Sequence, residues 1–189
     1  MSSQSLSEIQ TTLRGKLRQY PDFPSPGVLF EDIMPIFRDP KAFQQLIDGF
    51  KLHLTQKNIK VDVVVGLDAR GFIFGPALAL QLGVAFVPVR KRGKLPGETV
   101  SVTYTKEYAT DEFEMQADAV SKGENVVIVD DIIATGGSAQ AAGELVTKLG
   151  GVVSEYLFLL ELDFLKGREK LNAPVFTLLS GQPEALSSA

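Results

Sequence analysis

The 189-residue sequence has no cysteine and one histidine, His53. Without cysteine there is no disulfide framework, no cysteine-bound zinc and no thiol nucleophile. A single histidine disfavours a histidine-based triad or a metal site of several histidines. Since His53 has no neighbours at metal-ligand spacing, we expect it to be structural. Any catalysis must rest on carboxylates, amines, hydroxyls and backbone dipoles.

Long apolar runs and excess positive charge are missing too. No stretch approaches the ~18 apolar residues of a membrane span, and the N-terminal segment lacks the apolar centre of a signal peptide. We therefore expect a cytoplasmic protein that does not bind membranes. The net charge of -4 disfavours broad nucleic-acid binding but permits anionic small ligands. The length and the 44% hydrophobic content favour one domain, residues 1–189.

Short apolar strands alternate with helices along the chain. This pattern predicts an α/β fold with a mainly parallel sheet covered by helices on both faces. The expected strands are residues 61–67, 84–89, 125–129 and 152–160. The expected helices are residues 5–18, 40–54 with Asp39 as N-cap, 72–82 and 138–149.

Two segments interrupt this alternation. Residues 20–38 contain Pro21, Pro24 and Pro26, which fix an irregular loop. In residues 90–117, a half-exposed strand at 99–105 could pair with residues 113–115 as a hairpin. An insertion of this length in an α/β domain is more often a functional flap than a plain connection.

The strongest chemical signal is VVIVDDIIATGGS, residues 126–138. A buried strand brings Asp130 and Asp131 to the carboxyl edge of the sheet, where open α/β folds bind ligands. Residues 135–138 then open a helix whose N–H groups and dipole favour a phosphate. Because two carboxylates would repel a phosphate alone, they indicate a phosphorylated sugar whose hydroxyls donate to them. The alternative is a structural turn with aspartate as the helix cap. A Walker A pattern is absent.

Two cationic segments accompany this motif. Asp68-Ala69-Arg70 follows another strand, and the Arg70 guanidinium could clamp a diphosphate. The alternative is a surface ion pair between Arg70 and Asp68. Residues 90–94, RKRGK, place four cations in five residues. Alone they would be a solvated loop, but beside two phosphate-type turns they suit a leaving diphosphate, in the same subunit or a neighbouring one.

Together these segments resemble the type I phosphoribosyltransferases. VVIVDDIIATGGS is similar to that family's signature. The segments PDFPSPGVLFEDI, GLDARGFIFGPALA, VRKRGKLPGE and YTKEYATDEFEMQ extend the resemblance over essentially the whole chain, to the members that use adenine. The resemblance implies a central sheet flanked by helices, a small hood at about residues 20–38 and a flexible flap hairpin at about residues 90–117. It also implies a cytoplasmic homodimer that uses Mg²⁺ to transfer 5-phosphoribosyl from 5-phosphoribosyl 1-diphosphate to adenine, giving AMP and diphosphate.

The resemblance implies roles for the matching residues. Asp130 and Asp131 hold the ribose, Leu29 and Glu31 belong to a loop that reads adenine largely by main-chain groups, and Ile132 packs on the ring. The residues implied for the 5-phosphate are Ala134, Thr135, Gly136, Gly137 and Ser138, and those for the diphosphate are Asp68, Ala69, Arg70, Arg90, Lys91 and Lys94. Glu31 stands where some relatives have arginine, and Ala69 where some have serine.

The implied reaction needs no protein nucleophile. Loss of diphosphate creates an oxocarbenium-like sugar, so positioning and electrostatic stabilisation by groups such as Arg70 and the aspartates should dominate. Mg²⁺ is expected to be held mainly through substrate and water. Glu107 matches the family's acid beside the base and would manage the purine proton; the alternative is a solvated glutamate.

Two other functions stay open from the residues alone. Main-chain recognition does not distinguish adenine from hypoxanthine or guanine. A non-catalytic regulator could also keep the sugar-phosphate site to sense a ligand while binding nucleic acid, although the acidic balance of the chain argues against this.

Overall fold

The computed structural model describes residues 4–105 and 110–182. The helices are α1 (Leu6–Arg14), α2 (Met34–Arg38), α3 (Pro40–Gln56), α4 (Gly71–Leu82) and α5 (Gly137–Lys148). The strands are β1 (Arg18–Pro21), β2 (Leu29–Asp32), β3 (Val63–Leu67), β4 (Ala85–Lys91), β5 (Thr99–Thr105), β6 (Thr110–Gln116), β7 (Asn125–Ile133), β8 (Val152–Glu161) and β9 (Val175–Leu179). Two short 3-10 helices, Asp163–Leu165 and Gly167–Lys170, join β8 to β9.

The main sheet has the strand order β5-β6-β4-β3-β7-β8-β9. Strands β4, β3, β7, β8 and β9 pair in parallel, whereas β6 is antiparallel to both β4 and β5. The predicted mainly parallel sheet is therefore confirmed. The predicted hairpin is confirmed as well, with Val102 opposite Phe113.

Two apolar layers cover the sheet. One contains Phe50 of α3 and Phe74 of α4, and the other contains Met115 of β6 and Tyr156 of β8, with residues of α5. The strands β3 and β7 are buried on both faces because helices cover each side, which explains their nearly continuous apolar sequences. No helix in the described part of the chain has the length and apolarity to cross a membrane.

Some sequence predictions of element bounds were wrong. Helix α1 ends at Arg14 rather than Arg18, because the chain turns at Gly15 and Arg18 begins a strand that pairs with Asp32 of β2. The small antiparallel sheet of β1 and β2 and strand β9 were not predicted. Strand β7 runs on to Ile133 instead of ending at Val129, because β8 continues beside it.

Other local predictions are confirmed. Asp39 caps α3 by accepting from the N–H groups of Lys41 and Ala42 at 2.9 and 3.3 Å. The ring of His53 on α3 is buried, with its Nε2 2.9 Å from a carboxylate oxygen of Glu155. It stacks on Phe176 at 3.6 Å between ring centroids. These are the contacts of a structural histidine.

Candidate active site

A cavity of about 300 Å³ opens at the carboxyl edge of β3 and β7. These strands are neighbours in parallel register, so the segments that follow them converge. Gly71 allows α4 to begin directly against β7, since a Cβ there would lie 2.6 Å from the Val129 carbonyl oxygen. The sequence-predicted residues that line the cavity are Asp68, Ala69, Arg70, Asp130, Asp131, Ile132, Ala134, Thr135, Gly136, Gly137 and Ser138.

Asp130 and Asp131 form the acidic side of this cavity. Asp130 is half-buried and Asp131 is 2% exposed. Burial and the adjacent Asp131 raise the pKa of Asp130 well above its usual range. Burial also raises the pKa of Asp131, against the opposing effect of Arg70. The two carboxylates are therefore poorly solvated when they are ionised. Hydroxyl donors or a cation would stabilise their ionised forms.

Arg70 faces Asp131 across the cavity. Its Nε lies 2.8 Å from Asp131 Oδ2. The alignment does not meet hydrogen-bond geometry, and Oδ2 has no hydrogen-bond partner within the described residues. The alternative of an Arg70–Asp68 ion pair is wrong, because Asp68 lies 3.3 Å from Arg90 Nε instead. The guanidinium, on a side chain that is 47% exposed, remains accessible to a ligand.

The turn from β7 into α5 has the geometry of an anion cradle. Gly136 adopts a positive φ of 81° and Gly137 begins the helix, so the backbone turns sharply at the cavity wall. No described side chain caps the first N–H groups of α5. Thr135 and Ser138 are half-buried beside them and add hydroxyls. Orphan N–H groups at a helix start, together with its dipole, attract phosphate.

The basic segment at residues 90–94 is only partly at the cavity. Arg90 reaches it through Asp68, and its Nη1 also donates to the Lys94 carbonyl oxygen at 3.3 Å. Lys91 and Lys94 do not line the cavity. The Nζ of Lys91 lies 3.4 Å from Asp111 Oδ2 on β6.

Glu114 organises this segment and was missed at the sequence level. It is 4% exposed and its Oε1 accepts from the N–H groups of Lys94 and Leu95, both at 2.9 Å. Burial acts to raise the pKa of Glu114, but these N–H donors outweigh it and lower the pKa. The sequence places Glu114 in the predicted hairpin strand at 113–115. It does not indicate that the Glu114 carboxylate accepts hydrogen bonds from the loop at Lys94 and Leu95.

Of the residues predicted to bind the base, Ile132 lines this cavity, whereas Leu29 and Glu31 do not. Leu29 and Glu31 are on β2, and Glu31 is 6% exposed. The Glu31 carboxylate accepts from Gln19 Nε2 at 2.6 Å, so its side chain is engaged within the β1–β2 sheet. Glu107 lies outside the described residues. Sequence reasoning also missed Ile133, Ala139 and Phe158, which complete the cavity wall.

Comparisons with known proteins agree with this geometry. Residues 36–161 match the phosphoribosyl transferase domain. The adenine phosphoribosyltransferase of Yarrowia lipolytica is 66% identical over 94% of this chain and 99% of its own length. That of Kluyveromyces lactis is 62% identical over 97% and 99%. The Saccharomyces cerevisiae enzyme, solved with adenine and D-2,5-dideoxy-2,5-imino-altritol 1,6-bisphosphate, superposes with a TM-score of 0.89 at 63% identity, covering 92% of this chain and 99% of the other. The chain belongs to the type I phosphoribosyltransferase family, and within it to the adenine phosphoribosyltransferases, the pentosyltransferases of purine salvage.

Proposed function

We propose that the carboxyl-edge cavity holds 5-phosphoribosyl 1-diphosphate and that the chain transfers its ribosyl phosphate to adenine, releasing diphosphate. One observation carries the assignment of the site. The acidic pair, the uncapped start of α5 and the accessible guanidinium of Arg70 line a single cavity. These groups match, in turn, the hydroxyls, the 5-phosphate and the diphosphate of one ligand.

The donor is held by complementary charge. Ala134 to Ser138 bind the 5-phosphate through backbone N–H groups and hydroxyls. Asp130 and Asp131 accept from the ribose hydroxyls. The diphosphate lies toward Arg70, Asp68 and Ala69, with Arg90 as a further contact. Because Lys91 and Lys94 do not line the cavity, we propose that they reach the diphosphate of a neighbouring subunit. The 2.8 Å approach of Arg70 Nε to Asp131 Oδ2, without hydrogen-bond geometry, supports exchange of this ion pair for contacts with the donor.

The acidic pair also favours the transition state. When the bond from C1 to diphosphate breaks, positive charge develops on the ribose, close to the carboxylates that bind its hydroxyls. Their raised pKa values mark them as underpaired anions in the free protein. An interaction that strengthens as positive charge develops lowers the barrier, whereas equal binding of ground and transition states does not.

The base enters between the ribose and the β1–β2 sheet. Ile132, half-buried at the cavity wall, packs on the adenine ring, and main-chain groups near Leu29 and Glu31 read its edge. The bond between Glu31 and Gln19 supports this, because it engages the Glu31 carboxylate and leaves recognition to the backbone. Glu107 would accept the proton that the purine loses. We propose that residues 1–189 form one domain, with a hood at about residues 20–38 and a flap at about residues 90–117.

We propose that Mg²⁺ is held at this site mainly through substrate and water. Within residues 4–105 and 110–182 no three carboxylates or histidines converge as metal ligands. The carboxylates of Asp130 and Asp131 would favour a cation that is held mainly through the substrate and water. When bound there, the ion neutralises charge on the leaving diphosphate.

We also propose a cytoplasmic homodimer assembled through α4. This helix is apolar around its circumference, which is typical of buried helices, yet Leu80 is 83% exposed and Ile73 is 38% exposed. A second copy would cover this surface. Sedimentation should show that Leu80→Glu dissociates the dimer. Val152→Glu, at an apolar site 53% exposed on β8, should leave it intact. A monomeric parent protein would contradict the proposal.

The base assay tests the reaction. The protein is incubated with 5-phosphoribosyl 1-diphosphate, Mg²⁺ and adenine, guanine or hypoxanthine in separate reactions, and nucleotides are separated by chromatography. We expect AMP from adenine and little product from the other bases. Product from guanine but not adenine would overturn the assignment of the base. No product from any base, together with salt-sensitive nucleic-acid binding, would favour a regulator.

A further inference from the structure

The proposed 5-phosphate loop, residues 134–138, packs against a second backbone segment. That segment has no proposed contact with the substrates. The 3-10 helix Gly167–Lys170 lies against this loop. A Cβ on Gly136 would lie 2.3 Å from the Gly167 carbonyl oxygen. A Cβ on Gly167 would lie 2.2 Å from the Ala134 carbonyl oxygen and 2.9 Å from the Gly136 nitrogen. The two backbones touch without room for a methyl group, so neither can move toward the other unless the other moves as well.

One ion pair holds the supporting segment to the sheet. Arg168 donates through Nε to Glu161 Oε1 at 2.6 Å and through Nη2 to Glu161 Oε2. Glu161 is the last residue of β8 and is 3% exposed, and Thr177 of β9 donates to its Oε2 at 3.2 Å. The Arg168 hydrogen bonds lower the pKa of Glu161 against the effect of burial. A bidentate fork fixes orientation as well as distance.

The same segment is tied to the strand that carries the acidic pair. Leu162 N–H donates to the Ile133 carbonyl oxygen at 3.0 Å, immediately before the phosphate loop. Glu161 is also the register partner of Ile133. Gly167 contacts the phosphate loop from a segment that is held on both sides of Gly167. Strand β8 holds the residues before it, and the bidentate pair of Arg168 with Glu161 holds the residue after it.

We propose that Gly167, fixed by the Arg168–Glu161 pair, is a positioning residue that sets the 5-phosphate loop for the donor. This inference rests on the proposed function of that loop. Neither Arg168 nor Glu161 lines the cavity, so they act through the backbone rather than on the ligand. Convergent N–H donors tolerate little misplacement, since a shift of about 1 Å in a positioning group can cost about 100-fold in rate. The effect should fall on the donor and spare adenine.

Three variants test the inference. Gly167→Ala places a methyl group against Ala134, and Arg168→Met removes the fork. Arg168→Lys keeps the charge without the bidentate geometry and should recover only part of the loss. The control for Gly167→Ala is Gly15→Ala, where the nearest atom to the new Cβ is 3.5 Å away. The control for Arg168→Met is Lys16→Met, which breaks the 2.8 Å ion pair between Lys16 and Asp39.

The readouts separate positioning from stability. We expect the KM for 5-phosphoribosyl 1-diphosphate to rise about 10-fold or more in Gly167→Ala and Arg168→Met, with the KM for adenine within twofold of the parent. Calorimetry with ribose 5-phosphate, which lacks the diphosphate, should show weaker binding by a similar factor. Both controls should leave the two constants unchanged.

Two results would overturn the inference, and a third would instead contradict the function of the loop. Unchanged ribose 5-phosphate affinity in folded Gly167→Ala and Arg168→Met would remove the positioning role. Equal increases in both KM values would indicate general loss of structure. Failure of the parent protein itself to bind ribose 5-phosphate would contradict the proposed loop function. If Gly167→Ala does not fold, Arg168→Lys with circular dichroism as a check decides between the first two results.

Discussion

Two neighbouring strands carry carboxylates whose pKa values are shifted in opposite directions. On β7, the pKa of Asp130 is raised by burial and by the adjacent Asp131. On β8, the pKa of Glu161 is lowered by the Arg168 guanidinium, despite burial. Both lie near the carboxyl edge of one sheet. The difference is that Glu161 is hydrogen-bonded to Arg168 and Thr177, whereas Asp131 Oδ2 has no hydrogen-bond partner among the described residues; in the proposed function the donor supplies the missing partners.

This contrast separates two uses of a buried charge. A carboxylate satisfied by Arg168 and Thr177 fixes the backbone around it. A carboxylate left underpaired keeps free energy available for binding, at a cost to the stability of the free protein. Changes on β7 should therefore affect activity far more than stability, and changes on β8 should have a larger effect on stability.

The largest effect is expected from the double variant Asp130→Asn with Asp131→Asn. It removes both charges that favour the ribose cation while keeping side-chain size. We expect kcat/KM for the donor to fall about 100-fold or more, on the scale of losing one electrostatic contact to a transition state. Steady-state kinetics with varied donor measure it, and circular dichroism checks the fold. An unchanged kcat/KM would remove the acidic pair from the mechanism.

A smaller effect, on stability, is expected from Glu161→Gln. The variant removes the charge that Arg168 engages, and we expect a loss of about 2 kcal/mol in the free energy of unfolding at pH 7. The pKa of Glu161 is lowered in the folded protein, so its contribution is present above the ordinary glutamate pKa and is lost as the pH falls through the folded value. The difference between variant and parent should therefore shrink in acid.

Urea unfolding at several pH values measures this difference. Glu112→Gln is the control, because Glu112, itself 22% exposed, pairs at 2.8 Å with an Arg92 side chain that is 75% exposed. Exposed pairs contribute about 0–1 kcal/mol. Equal losses of unfolding free energy in the two variants would mean that burial of Glu161 adds no stability to its pair with Arg168. Glu161 would then not be a stabilising carboxylate that contrasts with the acidic pair on β7.

The sequence predicted the part of the site that is contiguous along the chain. Residues 126–138 contain a strand, a turn and the start of a helix in that order. The local sequence pattern and the parallel topology therefore place all of them at the carboxyl edge of the sheet. Arg70 was assigned the wrong alternative partner, since only the pairing of β3 with β7 brings Asp131 to it. Glu114 and Gly167 were missed for the same reason, because their partners are distant in sequence.

The missed elements share a physical cause. Strand β9 is a five-residue run, only partly buried, that needs β8 beside it to form hydrogen bonds. Strand β1 ends at Pro21, and Pro24 and Pro26 lie between β1 and β2. The pairing of these two strands depends on a register that sets Gln19 opposite Glu31 rather than on strand propensity. In both places tertiary pairing outweighs the local signal, whereas β3 and the apolar residues 126–129 of β7 could be predicted directly from the sequence.

The smallest effect is expected from Asp130→Asn alone, and its sign is the sharpest test of the comparison. Because the pKa of Asp130 is raised in the folded protein, ionisation costs stability as the pH rises above the ordinary aspartate value. The variant should therefore unfold about 2–4 °C higher than the parent at pH 7, with the difference vanishing in acid. The accepting oxygen survives in asparagine, so the 3.0 Å bond from Asp131 N–H is kept. Asp131→Asn, whose charge Arg70 already offsets, should gain less. Thermal scans without ligand measure both, and a lower Tm for Asp130→Asn at pH 7 would show that the acidic pair is satisfied within the protein after all.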